Sequence, residues 1–152
     1  MNESQLKTKL ADYLRSALES SVVFRIEDKY TRDIPDMCIT FRYLTFFCEV
    51  KHVTPRKPLK LKETQSQRQF ADRLNQSGAG TFYVIFEEDK DGDRWTYIVD
   101  PVYLDEFRKS EHFGGGFAYS LVAEYLKDYS ARPRLSASSI TLDAGFAQYT
   151  EE

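Results

Sequence analysis

The stretch RDIPDMCITFRYLTFFCEVKH, residues 32–52, decides how the whole chain is interpreted. Two segments that begin within it, 37–42 and 46–53, are rich in apolar, aromatic and β-branched residues, which is typical of β-strands. The short connection between them predicts a β-hairpin, although it lacks the Gly or Asn that hairpin turns favour. A buried strand pair does not need an aspartate after a proline or a Glu-Val-Lys run, so these charged residues are candidates for a function.

The hairpin predicts which of these side chains lie together. With a turn centred on residues 43–44, antiparallel pairing places Asp36 opposite Lys51 and Cys38 opposite Glu49. Directly opposed residues point to the same side of a sheet, and alternation along the second strand also puts Glu49 and Lys51 on one side. We therefore expect Asp36, Glu49 and Lys51 to share one face, provided that the register is correct.

The remaining apolar patterns place helices and strands around this hairpin. Helical spacing and cap signals predict helices, and short β-branched or aromatic runs predict strands. In chain order, the predicted elements outside the hairpin are a helix over 4–18, a strand over 22–26, a helix from 64 to 77, strands over 81–87 and 95–99, and helical segments over 101–109 and 119–129. This order predicts an α/β domain with a mixed central sheet flanked by helices.

Length and composition limit the classes of protein that fit. The 152 residues with 14% aromatic residues fit one folded domain, predicted over 1–129, followed by a tail over 130–152 that is flexible or packs on a partner. The apolar runs are shorter than a membrane span and the polar start is no signal peptide, so we expect a cytoplasmic protein. Cys38 and Cys48 lie in apolar segments without metal-ligand spacing, which predicts reduced, buried thiols.

Two carboxylates and an ammonium at the end of a strand suit phosphodiester chemistry. Carboxylate oxygens are the ligands that Mg²⁺ prefers, and a bound divalent cation polarises a phosphate and lowers the pKa of a water. A neighbouring lysine can orient that water or stabilise the negative charge that develops on the phosphate. The pattern therefore predicts a metal-dependent nuclease site with Mg²⁺ or Mn²⁺ as the cofactor.

The order Pro35-Asp36, twelve residues, then Glu49-Val50-Lys51 resembles the motif of the PD-(D/E)xK nuclease superfamily, whose core is restriction-endonuclease-like. The resemblance implies that Asp36 and Glu49 bind the metal, that the backbone carbonyl of Val50 completes its ligand shell, and that Lys51 is the catalytic lysine. It also implies a metal-binding glutamate on the first helix, for which Glu3 is the best match and Glu19 the second.

The stretch KETQSQRQFADRLNQSGAGTFYVIF, residues 62–86, is most similar to two branches of that superfamily, the RecU-like Holliday-junction resolvases and the VRR-NUC endonucleases. In both branches the strand with the Glu-x-Lys motif is followed by a helix with a glutamine, which implies a catalytic role for Gln67. Gln65 is close enough in sequence to be the matching residue instead. Gln67 also fits a capping box with Thr64, which is a purely structural role. The resolvase resemblance implies branched DNA as the substrate, products with a 5′ phosphate, a homodimer and a bacterial or bacteriophage source. The connection over 27–34 is too short for the stalk of the RecU group, which argues against a four-way junction.

The segment after the motif is unusually basic for a chain with a net charge of -3. Cations near a nuclease site contact the phosphate backbone of DNA, whereas the alternative is a solvated charged loop. The predicted DNA-binding residues are Lys51, His52, Arg56, Lys57, Lys60 and Lys62. His52 also fits a solvent-facing residue at the end of a strand. A second hypothesis for the whole chain is a nuclease-fold protein that binds DNA or a recombination partner without cutting.

Overall fold

The structure is a computed structural model that describes residues 2–26, 34–55, 61, 63, 65–109 and 118–131. These residues form a five-stranded mixed sheet flanked by helices, which confirms the predicted α/β class. The helices are α1 (Glu3–Ala17), α2 (Gln65–Gln76), α3 (Leu104–Lys109) and α4 (Ser120–Ala131). The strands are β1 (Val22–Arg25), β2 (Met37–Phe41), β3 (Leu44–Val53), β4 (Gly80–Glu88) and β5 (Arg94–Val99), and a 3₁₀ turn, Pro101–Tyr103, precedes α3.

The strands follow the order β1-β2-β3-β4-β5 across the sheet. The neighbours β1 and β2, β2 and β3, and β4 and β5 are antiparallel, whereas β3 and β4 are parallel. A parallel pair needs a crossover connection, and α2 lies in the segment between β3 and β4. The central strand β3 therefore has an antiparallel neighbour on one side and a parallel neighbour on the other.

Alternate residues of β3 point to opposite faces of the sheet, and each face has its own core. Phe46, Cys48 and Val50 belong to a core that α1 and α4 cover with apolar residues such as Leu10 and Leu126. The opposite face of β4 and β5 packs against α3 and its 3₁₀ turn; this second core contains Leu61, Tyr83, Ile85, Tyr97, Val99, Leu104 and Phe107. Glu49 and Lys51 point to this second face, so the predicted charged residues are kept apart from the larger core.

The hairpin turn lies one residue earlier than predicted. Arg42 and Tyr43 both adopt left-handed backbone conformations, with φ of 50° and 66°, and they connect β2 to β3 as a two-residue turn. Positive φ at both central positions is what a tight hairpin needs, and here it is met without the Gly or Asn that normally supplies it. The resulting register pairs Met37 with Cys48 and Cys38 with Phe47.

The predicted pairs of Asp36 with Lys51 and of Cys38 with Glu49 are therefore wrong by two residues. Continuing the observed register by one position places Asp36 opposite Glu49. A shift of two residues leaves every side chain on its predicted face, because side chains alternate with a period of two. The prediction that Glu49 and Lys51 share a face does not depend on the register, and the corrected register places Asp36 next to Glu49.

The free Cys38 and Cys48 are both buried, as predicted. Helix α4 continues to Ala131, two residues beyond the predicted end of the domain at 129, and residues 132–152 lie outside the described part of the chain. Thr64, the predicted capping residue of α2, also lies outside it. No helix within the described ranges is long and apolar enough to cross a membrane.

Replacing Gly80 with alanine is expected to lower the free energy of unfolding by about 1–3 kcal/mol. A Cβ at Gly80 would lie 2.7 Å from Cδ1 of Phe46, which is 1% exposed and packs edge-on against Phe82 and Tyr129. The ring cannot move aside without disturbing these neighbours. Urea unfolding measures the effect, and Phe46→Leu in the Gly80→Ala background should recover part of the loss. An unchanged unfolding midpoint for Gly80→Ala would show that the core accommodates the methyl group.

Candidate functional site

Asp36, directly before β2, and Glu49, in the middle of β3, form a pair of adjacent carboxylates. The Val50 backbone N–H donates to Oδ2 of Asp36 at 2.8 Å, which fixes the Asp36 side chain against β3. The side chains of Asp36 and Glu49 also share a hydrogen bond. Both are partly buried, with exposed side-chain fractions of 17% and 15%. The fold thus brings together two carboxylates that are separated by twelve residues in the sequence.

The proximity of the two carboxyl groups disfavours ionisation of Glu49. Burial and the negative charge of Asp36 raise the pKa of Glu49 from its ordinary value of 4.5 to about 8, and the Lys51 ammonium opposes that rise. A raised pKa means that Glu49 holds a proton at neutral pH in the metal-free protein, which explains how it shares a hydrogen bond with Asp36. A divalent cation held by Asp36 and Glu49 would favour loss of that proton.

Lys51 lies beside this carboxylate pair. Its Nζ is 3.8 Å from Oε1 of Glu49, and the exposed fraction of its side chain is 18%. Both residues point from β3 to the same face of the sheet, as the sequence predicts. An ammonium that is largely shielded from water interacts more strongly with nearby anions than an exposed one does. The position suits a group that stabilises negative charge developing next to Glu49.

The N-terminal turn of α1 brings Glu3 to the same region. An Asn2–Gln5 capping box starts this helix. Oε2 of Glu3 accepts a hydrogen bond from the backbone N–H of His52 at 3.3 Å, and Oε1 lies 3.3 Å from Nζ of Lys7. Glu19, the second choice for the helix glutamate, lies beyond the C-terminal end of the helix, which itself extends about 21 Å from Glu3 to Ala17 at 1.5 Å per residue. The structure thus brings Glu3 to the site and leaves Glu19 remote.

Lys7 connects Glu3 to Asp36, because its Nζ also lies 2.8 Å from Oδ1 of Asp36. Burial alone lowers the pKa of Lys7, but the hydrogen bond and charge of Asp36, together with those of Glu3, raise it overall. Lys7 is therefore charged at neutral pH. Lys7 is not among the residues predicted from the sequence; the available signal was its spacing of four residues from Glu3, which puts both side chains on one face of the helix.

Gln67 reaches the site from α2. It lines a small cavity together with Glu49, Tyr83 and Thr81, and Pro35 closes another side. The Glu49 side chain therefore both lines this cavity and contacts Asp36. Gln67 and Glu49 therefore line the same cavity.

Tyr83 and Glu63 are two further neighbours that the sequence analysis missed. Tyr83 is paired with Glu49 in the parallel register of β3 and β4, and its hydroxyl donates to Oε2 of Glu63. Burial, followed by the hydrogen bond and charge of Glu63, raises the pKa of the Tyr83 phenol. No motif predicts this pair, because it depends on the alignment of β4 with β3.

Of the six predicted DNA-binding residues, the structure describes Lys51 and His52. His52 follows Lys51 on β3, so its side chain points to the opposite face of the sheet from Glu49 and Lys51. Its backbone N–H is the group that meets Glu3. The other four residues lie outside the described part of the chain; they are Arg56, Lys57, Lys60 and Lys62.

The donor chemistry of the site fits a hard divalent cation. Asp36 and Glu49 provide adjacent carboxylate oxygens, and a divalent cation would relieve the repulsion that raises the pKa of Glu49. Among the residues that the structure describes, no group of three or more His, Cys, Asp and Glu side chains is arranged to hold a metal ion. Glu3 is linked to Asp36 through the ammonium of Lys7.

Comparisons with known proteins give a structural likeness only. No protein-family model and no curated protein matches the sequence. Among solved structures, the chain is similar to Hjc from Archaeoglobus fulgidus, a Holliday junction resolvase from an archaeal hyperthermophile. The two chains are 15% identical and have a TM-score of 0.47, over 67% of this chain and 79% of that chain. At this level of likeness, the function has to be inferred from the residues of this chain.

Proposed function

We propose that the protein is a metal-dependent nuclease that hydrolyses phosphodiester bonds in DNA, and that it acts on branched DNA as a structure-specific Holliday-junction resolvase. The observation that carries this proposal is the pair of partly buried carboxylates, Asp36 and Glu49, with the Lys51 ammonium on the same face. A structural role does not require two carboxylates to share a proton in a shielded position, whereas binding a divalent cation does require adjacent anionic oxygens.

In this proposal, Asp36 and Glu49 hold Mg²⁺ or Mn²⁺, and the backbone carbonyl of Val50 and the carboxylate of Glu3 complete the ligand set. The bound cation supplies Lewis-acid polarisation of the phosphate and a water of lowered pKa. Because Asp36 is fixed by the Val50 N–H, one ligand is already oriented before the cation arrives. The pKa of Glu49 implies that this side chain gives up its proton when the cation binds.

Lys51 and Gln67 act on the substrate side of the same site. The Lys51 ammonium stabilises the negative charge that develops on the phosphate as the water attacks, and its partial burial strengthens that effect. The Gln67 amide, which lines the cavity next to Glu49, orients the water or a phosphate oxygen.

DNA is bound by cations around the carboxylates. Lys51 contacts the reacting phosphate, and the neighbouring phosphates meet the basic segment that follows β3. The proposed backbone contacts are Arg56, Lys57, Lys60 and Lys62, whereas the His52 side chain lies on the opposite face of the sheet. A homodimer would place two such sites on the two strands of a symmetric junction, and the paired nicks of a resolvase require this arrangement.

A panel of labelled substrates tests this proposal. Four-way junction, flap, nicked and linear duplexes are incubated with wild type and with Asp36→Asn in Mg²⁺, Mn²⁺ or EDTA. We expect metal-dependent cleavage by wild type, strongest and symmetric on the junction, and no cleavage by Asp36→Asn. Equal cleavage of all four substrates would support the nuclease activity and contradict the proposed specificity for Holliday junctions. Binding of the junction without cleavage in any metal would identify a DNA-binding protein with a nuclease fold.

A further inference from the structure

Lys7 occupies an unusual position for a helix lysine. Its Nζ lies 2.8 Å from Oδ1 of Asp36 and 3.3 Å from Oε1 of Glu3, and only 18% of its side chain is exposed. It therefore connects the first helix to the start of β2. Exposed ion pairs contribute little, but the Lys7–Asp36 pair is shielded at both ends, with exposed side-chain fractions of 18% and 17%, whereas the Glu3 side chain is 41% exposed.

All four carboxylate oxygens of Asp36 and Glu3 already have a partner. Asp36 uses Oδ1 for Lys7 and Oδ2 for the Val50 N–H, and Glu3 uses Oε1 for Lys7 and Oε2 for the His52 N–H. The two backbone donors are fixed in place within β3. The Lys7 ammonium is at the end of a flexible chain and can leave. A divalent cation that binds both carboxylates therefore has to displace the Lys7 ammonium.

We propose that Lys7 is a positioning residue whose ammonium holds Asp36 and Glu3 together in the metal-free protein and is displaced when a divalent cation binds. This inference rests on the proposed function, because it takes Asp36 and Glu3 as metal ligands. Lys7 acts as an internal competitor for the cation: it keeps the carboxylates oriented and neutralised while the site is empty, and it weakens metal binding by the free energy needed to displace it.

Calorimetric titration with Mn²⁺ in the absence of DNA tests the proposal on four proteins: wild type, Lys7→Met, Lys7→Arg and Lys9→Met. Methionine keeps most of the length of Lys7 without its charge, and arginine restores the charge. Lys9 is exposed and two positions further along the same helix, so it faces another direction and controls for the change in net charge. Circular dichroism and thermal unfolding of each metal-free protein report whether it is folded.

Lys7→Met is expected to bind Mn²⁺ about tenfold more tightly than wild type or more, because one charge within about 4–6 Å shifts a neighbouring equilibrium by about 1–3 powers of ten. It should also melt at a lower temperature than wild type in the absence of metal. Lys7→Arg should bind close to wild type, and Lys9→Met should stay within about twofold of it, as expected for a screened surface charge. A lysine that serves only to stabilise the fold would not weaken metal binding.

Equal or weaker Mn²⁺ binding by folded Lys7→Met overturns this inference and leaves the metal site intact. Absence of Mn²⁺ binding from both wild type and Lys7→Met overturns the metal site and the inference with it. If Lys7→Met does not fold, Lys7→Gln provides the same comparison, since its amide can still donate a hydrogen bond to Asp36 but carries no charge. Tighter binding by Lys9→Met to the same degree would also reject a specific role for Lys7.

Discussion

Replacing Glu49 with glutamine is expected to lower the rate of DNA cleavage by about 10³-fold or more while leaving DNA bound. The substitution keeps the shape of the side chain and removes its ability to become an anionic metal ligand next to Asp36. The Lewis-acid contribution of a metal is worth several kcal/mol, and each 1.36 kcal/mol corresponds to about a tenfold change in rate. The measurement is single-turnover cleavage of a labelled junction at saturating protein, with binding followed by fluorescence anisotropy.

Glu124→Gln is the matched control, because Glu124 is an exposed glutamate on α4 and the substitution makes the same change in charge. It should cleave at the wild-type rate. Retention of more than about a tenth of wild-type activity by Glu49→Gln would contradict the assignment of Glu49 as a metal ligand, because one lost ligand is expected to cost several powers of ten. Circular dichroism would show whether Glu49→Gln is folded. If it is not, Asp36→Asn replaces it in the same experiment.

The same glutamate makes the stability of the metal-free protein depend on pH. The pKa of Glu49 is about 8 in the folded protein and near 4.5 in the unfolded chain, so the folded state binds this proton more tightly. The stabilising contribution is complete below about pH 4.5 and is lost as the pH rises towards 8. Wild type should therefore lose on the order of 3 kcal/mol of stability between about pH 5 and pH 8.5, at about 1.4 kcal/mol per unit of pKa shift.

Glutamine at position 49 carries no titratable proton, so Glu49→Gln should lose this slope and become more stable than wild type at alkaline pH. The measurement is urea unfolding in EDTA at several pH values, and the informative quantity is the difference between the two proteins, since all other groups titrate in both. A difference that does not change between pH 5 and 8.5 would show that Glu49 titrates normally. A variant that is more stable but inactive would indicate that wild type retains a destabilising carboxylate for function.

Much of the fold follows from local patterns in the sequence. Alternation along β3 correctly places Glu49 and Lys51 on one face, and helical spacing from 4 to 18 correctly predicts α1 to within one residue at each end. These predictions succeed because they depend only on neighbours in sequence. The face prediction also tolerates the register error in the hairpin, since a shift of two residues preserves alternation.

The details that failed depend on contacts between distant segments or on unusual backbone conformations. The turn at Arg42 and Tyr43 has no Gly or Asn to mark it, so the register could not be fixed from sequence. The Lys7–Asp36 ion pair joins a helix to a strand that begins thirty positions later, and Tyr83 meets Glu49 only through the parallel register of β3 and β4. No pattern within one element encodes such contacts.

The measurement that tests the central claim most directly is the metal dependence of cleavage by wild type after exhaustive removal of divalent cations. The rate of cleavage of one labelled junction is followed at about pH 8 while Mg²⁺ is added to protein dialysed against EDTA. We predict no cleavage without metal, a rate that saturates with Mg²⁺, and no response to Mg²⁺ in Glu49→Gln. Cleavage that persists in EDTA, or that responds to Mg²⁺ equally in both proteins, would contradict a metal site at Asp36 and Glu49.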